Sequence, residues 1–229
     1  MMDPTRDALK GVAADVARSI APRAVLGLGS GSTVAGLIEE LAPLIIGKSV
    51  RGVATSTQIE LVASRCGIEL VPFRGSVDLV VDGADQVDRR LNLVKGGGGA
   101  LLREKVVMGA AKSIAVVAGE NKFVRRLCDN GVRVPVEVFP MARESAKLKL
   151  SMLGGVAEER LLPKGYPYFT ENGNVILDTL FEPIESPRDL EVRVRSTPGV
   201  AEVGIFTFKP LTVYRLEGEG RFETLTAEA

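Results

Sequence analysis

The chain has 229 residues, and 29 basic and 29 acidic side chains give it a formal net charge of zero. Balanced charge and few aromatic residues argue against nucleic-acid binding, and no apolar run reaches the roughly 20 residues that span a membrane. The chain has no histidine, which excludes the usual histidine-dependent nucleophile systems and leaves carboxylates, lysine or tyrosine for acid–base chemistry. Two cysteines without metal-ligand spacing indicate a reduced, cytoplasmic protein without a metal site.

Helical and strand patterns alternate through the first half of the chain. Helices are predicted at residues 5–20, 34–44, 57–66 and 100–112, and strands at 24–26, 50–54, 68–72, 77–81 and 113–118. This alternation predicts a parallel sheet covered on both faces, and ligands of such sheets gather at the carboxyl ends of the strands. The turns 29–33, 55–57, 82–85 and 119–122 each follow a strand, so we expect them to share one edge.

The second half has a different pattern. Strands are predicted at residues 134–139, 156–162, 168–170, 175–180 and 200–206, with helices at 141–152 and 187–195. Without the short segment 168–170, the order is the β-α-β-β-α-β of a ferredoxin-like domain, and the strand 211–216 is expected to return to the first domain. The predicted fold is therefore α/β. It has a Rossmann-like, mostly parallel sheet domain of residues 1–128 with 207–229, and a smaller α+β domain of residues 129–206.

The turn Gly29-Ser30-Gly31-Ser32-Thr33 leads from a strand into a helix, a geometry that suits a phosphate group. A dinucleotide-binding fingerprint is weakened, since it would need glycine at Ser32 and an acid after the next strand. A P-loop ending in Gly47-Lys48-Ser49 would need glycine at Ala42. A tight turn that binds nothing stays open as an alternative.

Two carboxylates, a lysine and a glycine run follow the strand at 77–81. Asp82 and Asp85 suit either proton transfer or local turn hydrogen bonding, and Lys95 suits either a substrate contact or a solvated surface. The four glycines at 96–99 are harder to explain without a ligand, because such a run weakens regular structure and permits close approach of the backbone.

Glu104 is predicted to lie on a helix among apolar neighbours. Residues three and four positions away are apolar on both sides, and burial there would raise the pKa of the carboxyl toward the range of a general base. Arg103 has similarly apolar neighbours, so burial does not single out Glu104. An ion pair of Glu104 with Arg103 or Lys105 at the surface is the alternative.

These motifs together resemble the type A ribose-5-phosphate isomerases. The resemblance rests on five segments that run in order through nearly the whole chain: residues 29–33, 82–85, 95–105, 135–143 and 172–178. It implies interconversion of D-ribose 5-phosphate and D-ribulose 5-phosphate through an enediolate, without metal or cofactor, in the non-oxidative pentose phosphate pathway. It also implies a homodimer or homotetramer with no nucleic-acid or membrane partner.

The resemblance also implies roles for individual residues. Glu104 would be the base that moves a proton between C1 and C2, Asp82 and Asp85 would assist ring opening and proton movement between oxygens, and Lys95 would stabilise the enediolate. Substrate contacts would come from Ser30, Gly31, Ser32, Thr33, Asp82, Gly83, Ala84, Asp85, Lys95, Gly96, Gly97, Gly98 and Lys122. Ser30, Gly99 and Leu102 depart from residues that are frequent in the family, and none of the three is a catalytic position.

Three alternatives from other classes stay open at this point. A sugar-phosphate sensor on the same sheet would bind without turnover and would not need Glu104. An amino-sugar-phosphate deaminase is disfavoured by resemblance, since those enzymes typically rely on a histidine. A nicotinamide oxidoreductase is weakened by Ser32 and by the missing acid.

Overall fold

The computed structural model describes residues 4–227, within which lie six α-helices and 14 strands. The helices are α1 (Pro4–Ser19), α2 (Ser32–Ile45), α3 (Thr57–Arg65), α4 (Leu101–Gly109), α5 (Arg143–Met152) and α6 (Pro187–Arg195). The strands are β1 (Val25–Leu28), β2 (Arg51–Ala54), β3 (Glu69–Leu70), β4 (Val77–Gly83), β5 (Gln86–Val87), β6 (Leu93–Val94), β7 (Ala111–Gly119), β8 (Val134–Val138), β9 (Val156–Glu159), β10 (Val175–Leu180), β11 (Val200–Val203), β12 (Ile205–Phe206), β13 (Leu211–Leu216) and β14 (Phe222–Ala227).

The chain divides into two units, and of the described residues the first holds 4–84, 103–122 and 208–227. Its seven-stranded sheet has the order β14-β13-β7-β4-β1-β2-β3, and every neighbouring pair except β13 with β14 is parallel. The predicted Rossmann-like sheet and the return of the chain through β13 are therefore confirmed. Residues 1–3 and 228–229, which the predicted first domain includes, lie outside the described residues.

The register of the parallel strands brings their carboxyl ends to one edge of this sheet. Leu28 of β1 lies opposite both Ala54 of β2 and Val81 of β4, and Gly83 of β4 lies opposite Val117 of β7. The turns 29–33, 55–57 and 119–122 follow strands that end at this edge, as the sequence predicts. Asp82, near the end of β4, lies at the same edge.

Helices α1 and α2 form much of the apolar core of the first unit. Their apolar residues recur every three or four positions, as in Val12 and Val16 of α1 and Leu37 and Leu41 of α2, and all four are buried. Tyr214 of β13 belongs to the same core, and its hydroxyl donates to Asp15 at 2.7 Å. Strand β13 is thus anchored to the first helix.

The second unit holds residues 85–102 and 123–207. Its four-stranded sheet is antiparallel throughout, with the order β11-β8-β10-β9, so that α5 and α6 each connect strands that have another strand between them. This is the split βαβ arrangement of the predicted ferredoxin-like domain. Alternate residues of β8, Val134, Val136 and Val138, face a core that includes Ala146 and Leu150 of α5.

The boundaries of the units differ from the predicted domain boundaries because of a small additional sheet. Strands β5, β6 and β12 pair antiparallel, which joins residues 85–102 to the second unit although the prediction assigned them to the first. The predicted strand 200–206 is divided at Gly204, whose carbonyl accepts from Lys95 N at 2.9 Å. A Cβ at Gly204 would lie 2.2 Å from the Lys95 carbonyl oxygen, so this crossing requires glycine.

Three smaller elements also differ from prediction. Residues 168–170 contribute a single bridge, Phe169 to Val175, rather than a strand. Strand β7 begins at Ala111 because α4 ends at Gly109, and β14 was not predicted because its polar, half-exposed pattern resembles a tail. Among the described residues no helix has the length and apolar character needed to cross a membrane.

Candidate active site

Helix α4 packs closely on the sheet of the first unit because β1 carries a glycine beneath it. A Cβ at Gly27 would lie 2.6 Å from Val107 Cγ1 of α4 and 2.7 Å from Val80 Cγ2 of β4. Any larger residue would therefore push the helix away from the sheet. Glu104 stands one turn before Val107, so this contact determines how near its carboxylate comes to the edge of the sheet.

The Glu104 carboxylate lies against the turn that follows β1. Its Oε1 accepts from the backbone N of Ser30 at 3.3 Å, and the residue is 4% exposed. The helical neighbours Leu101 and Met108 are buried as well. The alternative of a position at the surface is contradicted by this burial, and the expected burial of the carboxylate is confirmed.

Asp82 occupies the same edge of the sheet and is completely buried. Its Oδ1 accepts from the backbone N of Gly83 at 2.7 Å. A Cβ at Gly29 would lie 2.0 Å from both Cγ and Oδ1 of Asp82, so the space above Gly29 is filled by this carboxylate. Gly29 is therefore required by the close approach of a charged side chain, a role that its place in a glycine-rich turn does not reveal.

The turn between β1 and α2 is tied to the neighbouring strand by side-chain hydroxyls. Ser30 Oγ lies 2.9 Å from Thr55 Oγ1 and 2.7 Å from Ser56 Oγ, both of which follow β2. Gly31 adopts a φ of 110° and its N donates to Gln58 Oε1 at 3.1 Å. These contacts hold the turn at a fixed position beside the start of α2.

Helix α2 begins with Ser32 and Thr33, and its preceding residue, Gly31, offers no side-chain cap. The positive end of the helix dipole and the first backbone N–H groups of a helix favour an anion at this position. Lys122 ends the short 3₁₀ segment Glu120–Lys122 that follows β7 at the same edge, and its side chain is half-buried. The first unit thus brings Ser30, Asp82 and Glu104 together, and places Ser32, Thr33 and Lys122 on the same edge.

Asp85 and the glycine loop, residues 96–99, belong to the second unit. Asp85 Oδ2 accepts from the backbone N of Gly97 at 2.8 Å, and Asp85 N donates to the Val94 carbonyl at 2.8 Å. Gly97 and Gly98 are exposed, whereas Gly96 is buried. The structure therefore joins two of the predicted site elements, an acid and the glycine loop, through a direct hydrogen bond.

Lys95 precedes the glycine loop and is only 3% exposed. Its Nζ lies 5.6 Å from the centroid of the Phe206 ring, a cation–π distance. This burial contradicts the alternative of a lysine at the solvated surface. Ala84 and Gly83, which the resemblance also includes, are half-buried residues at the point where the chain leaves the first unit.

Two residues that contact the glycine loop, and a third that binds one of these two, were not among the predicted site residues. Arg160 donates to the Gly96 and Gly97 carbonyls, Tyr168 donates to the Gly98 carbonyl, and Asp178 holds Arg160. Arg160 lies just after β9 and Asp178 within β10, in segments whose alternating pattern indicates only strands. No local motif marks them, although Asp178 ends one of the segments on which the family resemblance rests.

The groups that these two units offer for chemistry are carboxylates and a lysine, in a chain without histidine. Residues 4–227 contain no group of three or more cysteine, aspartate or glutamate side chains arranged to hold a metal ion. The first unit has buried carboxylates and a helix N-terminus at one sheet edge, and the second unit has a buried lysine. Such groups are typical of an acid–base isomerase rather than of a nucleophilic hydrolase.

Comparison with known proteins agrees with this class. The family described as ribose 5-phosphate isomerase A (phosphoriboisomerase A) matches residues 51–220. The ribose-5-phosphate isomerase A of Sphingopyxis alaskensis is 39% identical over 198 residues, which are 85% of this chain and 86% of that protein. The chain belongs to the ribose 5-phosphate isomerase A family, and so to the aldose–ketose isomerases.

Two solved structures show the same fold. Ribose 5-phosphate isomerase A from Methanocaldococcus jannaschii superposes with a TM-score of 0.88 at 36% identity, over 96% of this chain and 99% of that chain. A D-ribose-5-phosphate isomerase in complex with phospho-erythronic acid superposes with a TM-score of 0.88 at 34% identity, over 99% of this chain and all of the other.

Proposed function

We propose that this protein interconverts D-ribose 5-phosphate and D-ribulose 5-phosphate through an enediolate. The observation that carries the proposal is the buried Glu104 carboxylate on the turn after β1, in a chain of this family that has no histidine. Moving a carbonyl between C1 and C2 requires a base that removes a proton from one carbon and returns it to the other. A buried glutamate is suited to that task, because burial disfavours the charged form of its carboxyl.

The other charged residues take supporting roles in this proposal. Lys95 stabilises the negative charge that develops on the substrate oxygens, because a buried ammonium acts on charge more strongly than a solvated one. Asp82 and Asp85 assist opening of the sugar ring and transfer protons between its oxygens. The fixed hydrogen bonds from Gly83 to Asp82 and from Gly97 to Asp85 support these roles, since a proton-transfer group must be held in place.

The phosphate of the sugar is assigned to the edge of the first unit. Ser30, Gly31, Ser32 and Thr33 surround the N-terminus of α2, where the helix dipole favours an anion. Lys122 adds a positive charge at the same edge. Binding the phosphate matters for the rate as well as for affinity, because binding energy remote from the reacting carbons helps to stabilise the transition state.

The ligand of one structural neighbour supports the reaction as well as the binding. Phospho-erythronic acid, present in a structure 34% identical to this chain, carries a phosphate at one end and a carboxylate at the other. The two oxygens of a carboxylate resemble the two oxygens of a planar enediolate. A site that accepts such a molecule suits a reaction in which negative charge develops on adjacent oxygens.

Several further expectations follow from the same proposal. The enzyme would work without metal or cofactor, as a cytoplasmic homodimer or homotetramer, in the non-oxidative branch of the pentose phosphate pathway. The chemistry itself requires no redox partner, because an isomerisation leaves the overall oxidation state of the sugar unchanged.

A coupled assay for ketopentose phosphate formed from ribose 5-phosphate tests the function. We expect turnover in the presence of EDTA, and none with unphosphorylated ribose at the same concentration. Absence of turnover with ribose 5-phosphate would overturn the proposed function. Loss of activity in EDTA that a divalent ion restores would overturn the metal-free mechanism alone.

A further inference from the structure

The glycine loop is held by side chains that bind its carbonyl groups. Arg160 Nη1 donates to the carbonyl oxygens of Gly96 at 2.9 Å and Gly97 at 3.0 Å. The Tyr168 hydroxyl donates to the Gly98 carbonyl at 3.2 Å. Three consecutive carbonyls of a segment with no side chains of its own are thus bound by two residues that are distant in sequence.

Arg160 is itself fixed from two sides. Its Nε and Nη2 donate to the two carboxylate oxygens of Asp178 at 2.8 and 2.5 Å, the bidentate geometry in which a guanidinium is most firmly oriented. Its Cζ lies 5.7 Å from the centroid of the Tyr168 ring. The Arg160 side chain is 16% exposed and that of Asp178 24%, so solvent screens this pair less than a surface pair.

The direction of these hydrogen bonds determines where the opposite side of each peptide group points. In a trans peptide the carbonyl of one residue and the N–H of the next point in opposite directions. The peptide between Gly96 and Gly97 shows this arrangement, because its carbonyl accepts from Arg160 while its N–H donates to Asp85 at 2.8 Å. A guanidinium and a carboxylate therefore bind the two sides of one peptide, and each strengthens the hydrogen bond of the other.

The next peptide has the same orientation but no protein acceptor. The Gly97 carbonyl accepts from Arg160, so the N–H of Gly98 points away from the guanidinium. Within residues 4–227 this N–H makes no hydrogen bond, and a Cβ at Gly98 would have no heavy atom within 4 Å. It is an exposed donor, polarised by a cation, one residue after the N–H that holds Asp85.

We propose that Arg160, held by Asp178 and Tyr168, is a positioning residue that aims the Gly97 N–H at Asp85 and the Gly98 N–H at a substrate oxygen. This inference rests on the proposed function, since it assigns a role at the same site. The oxygen that gains negative charge in the enediolate is the acceptor that such a donor would stabilise most. Arg160 would then act on the reaction through the backbone without touching the substrate.

Steady-state kinetics of four variants test the assignment. Arg160→Lys keeps a cation beside Asp178 but cannot reproduce the planar fork, and Arg160→Met removes the charge. We expect kcat to fall by about 10- to 100-fold in both, more in Arg160→Met, with KM changed by less than about threefold. Tyr168→Phe loses one hydrogen bond and should lose about two- to tenfold in kcat. Arg193→Met, which breaks an exposed ion pair with Asp189 on α6, should leave kcat and KM unchanged.

Wild-type turnover and ligand binding separate the possible failures. If the wild type does not isomerise ribose 5-phosphate, the proposed function fails. In that case the affinity for phospho-erythronic acid, measured by calorimetry, decides the role of Arg160. We expect this affinity to be at least about tenfold lower in Arg160→Lys than in the wild type. If the wild type is active and both the Arg160→Lys and Tyr168→Phe variants match its kcat, the inference is overturned. It is also overturned if kcat falls only in parallel with the folded fraction, measured by circular dichroism. Should Arg160→Met fail to fold, those two milder variants give the answer.

Discussion

The two units position the groups of the candidate site in different ways. In the first unit the absence of side chains is what positions the carboxylates, since Gly27 allows α4 to lie on the sheet and Gly29 leaves room for Asp82. In the second unit the opposite holds, because the backbone of the glycine loop is positioned by the side chains of Arg160 and Tyr168.

This difference determines which substitutions each unit tolerates. A position defined by a missing Cβ fails when an atom is added, because neighbouring atoms already fill the space. A position defined by hydrogen bonds fails when a side chain is shortened, because its partners are left without a donor or acceptor. The first unit should therefore be sensitive to glycine-to-alanine changes, and the second to truncation of its polar side chains.

The largest effect is expected from Glu104→Gln in the first unit. Glutamine keeps an oxygen that can accept from Ser30 N but cannot take up a proton. We expect kcat to fall by about 10²- to 10⁴-fold, the usual contribution of a positioned acid–base group, with an unchanged circular dichroism spectrum. Glu144→Gln, on an exposed face of the second unit, serves as control and should retain full activity. Near-normal turnover in Glu104→Gln would remove this residue from the base role.

The next-largest effect is expected from a truncation in the second unit, Glu137→Ala. Glu137 is fully buried on β8, and its Oε1 accepts from Thr170 Oγ1, Asn172 Nδ2 and Asn174 Nδ2 at 2.9 to 3.0 Å. Alanine would leave three donors without this acceptor, so we expect the free energy of unfolding to fall by about 2–4 kcal/mol. Urea titration measures it, and a loss below about 0.5 kcal/mol would show that water replaces the carboxylate easily.

Adding a methyl group at Gly29 of the first unit should lower the stability less than Glu137→Ala does, but the activity more. Gly29→Ala would place a Cβ 2.0 Å from the Asp82 carboxylate, and we expect a loss of about 1–3 kcal/mol together with a kcat lowered at least tenfold. Gly47→Ala is the matched control, because its Cβ would meet nothing within 4 Å. Equal stability and activity in both alanine variants would mean that the Gly29 site relaxes without strain.

The smallest effect concerns Asp78, on the first unit's sheet. Hydrogen bonds from Lys112 Nζ at 2.7 Å and from Val25 N at 2.8 Å lower the pKa of its carboxyl. A carboxyl whose pKa is lower in the folded protein stabilises the fold above its unfolded pKa, and this contribution is lost as the pH falls through the folded value. Asp78→Asn should therefore cost less than about 1 kcal/mol at pH 7, since the pair is half-exposed, and a smaller amount near pH 2. A cost that stays equal at both pH values would contradict this account.

Much of the fold could be predicted because its signals are local. Alternating strand and helix patterns identify the parallel sheet, and strand endings identify the edge where Ser30 and Asp82 lie. The small sheet of β5, β6 and β12 could not be predicted, because its strands have only two residues each and β12 pairs with β6 across more than 100 positions, as in Leu93 with Phe206. Pairing over such distances leaves no periodic pattern in either segment.

The candidate site also contains some residues that the sequence could predict and others that it could not. Apolar neighbours on its own helix predicted the burial of Glu104, which is confirmed, whereas only the resemblance to the family singled this residue out as the base. Arg160 could not be predicted, because its importance lies in contacts with the Gly96 and Gly97 carbonyls more than 60 residues away. The reason for Gly29 was also hidden, since only the folded chain shows that the Asp82 carboxylate fills the space beside it.

The central claim is that a protein carboxylate carries a proton between neighbouring carbons of a phosphorylated sugar. Isomerisation in D₂O tests this claim most directly. The wild type would be left with ribose 5-phosphate for many turnovers, and carbon-bound deuterium at C2 of the aldose and C1 of the ketose followed by NMR. We predict that deuterium accumulates at both carbons and that Glu104→Gln slows its appearance as strongly as it slows turnover. Full equilibration of the two sugars without any carbon-bound deuterium, or exchange at an undiminished rate in Glu104→Gln, would contradict the account.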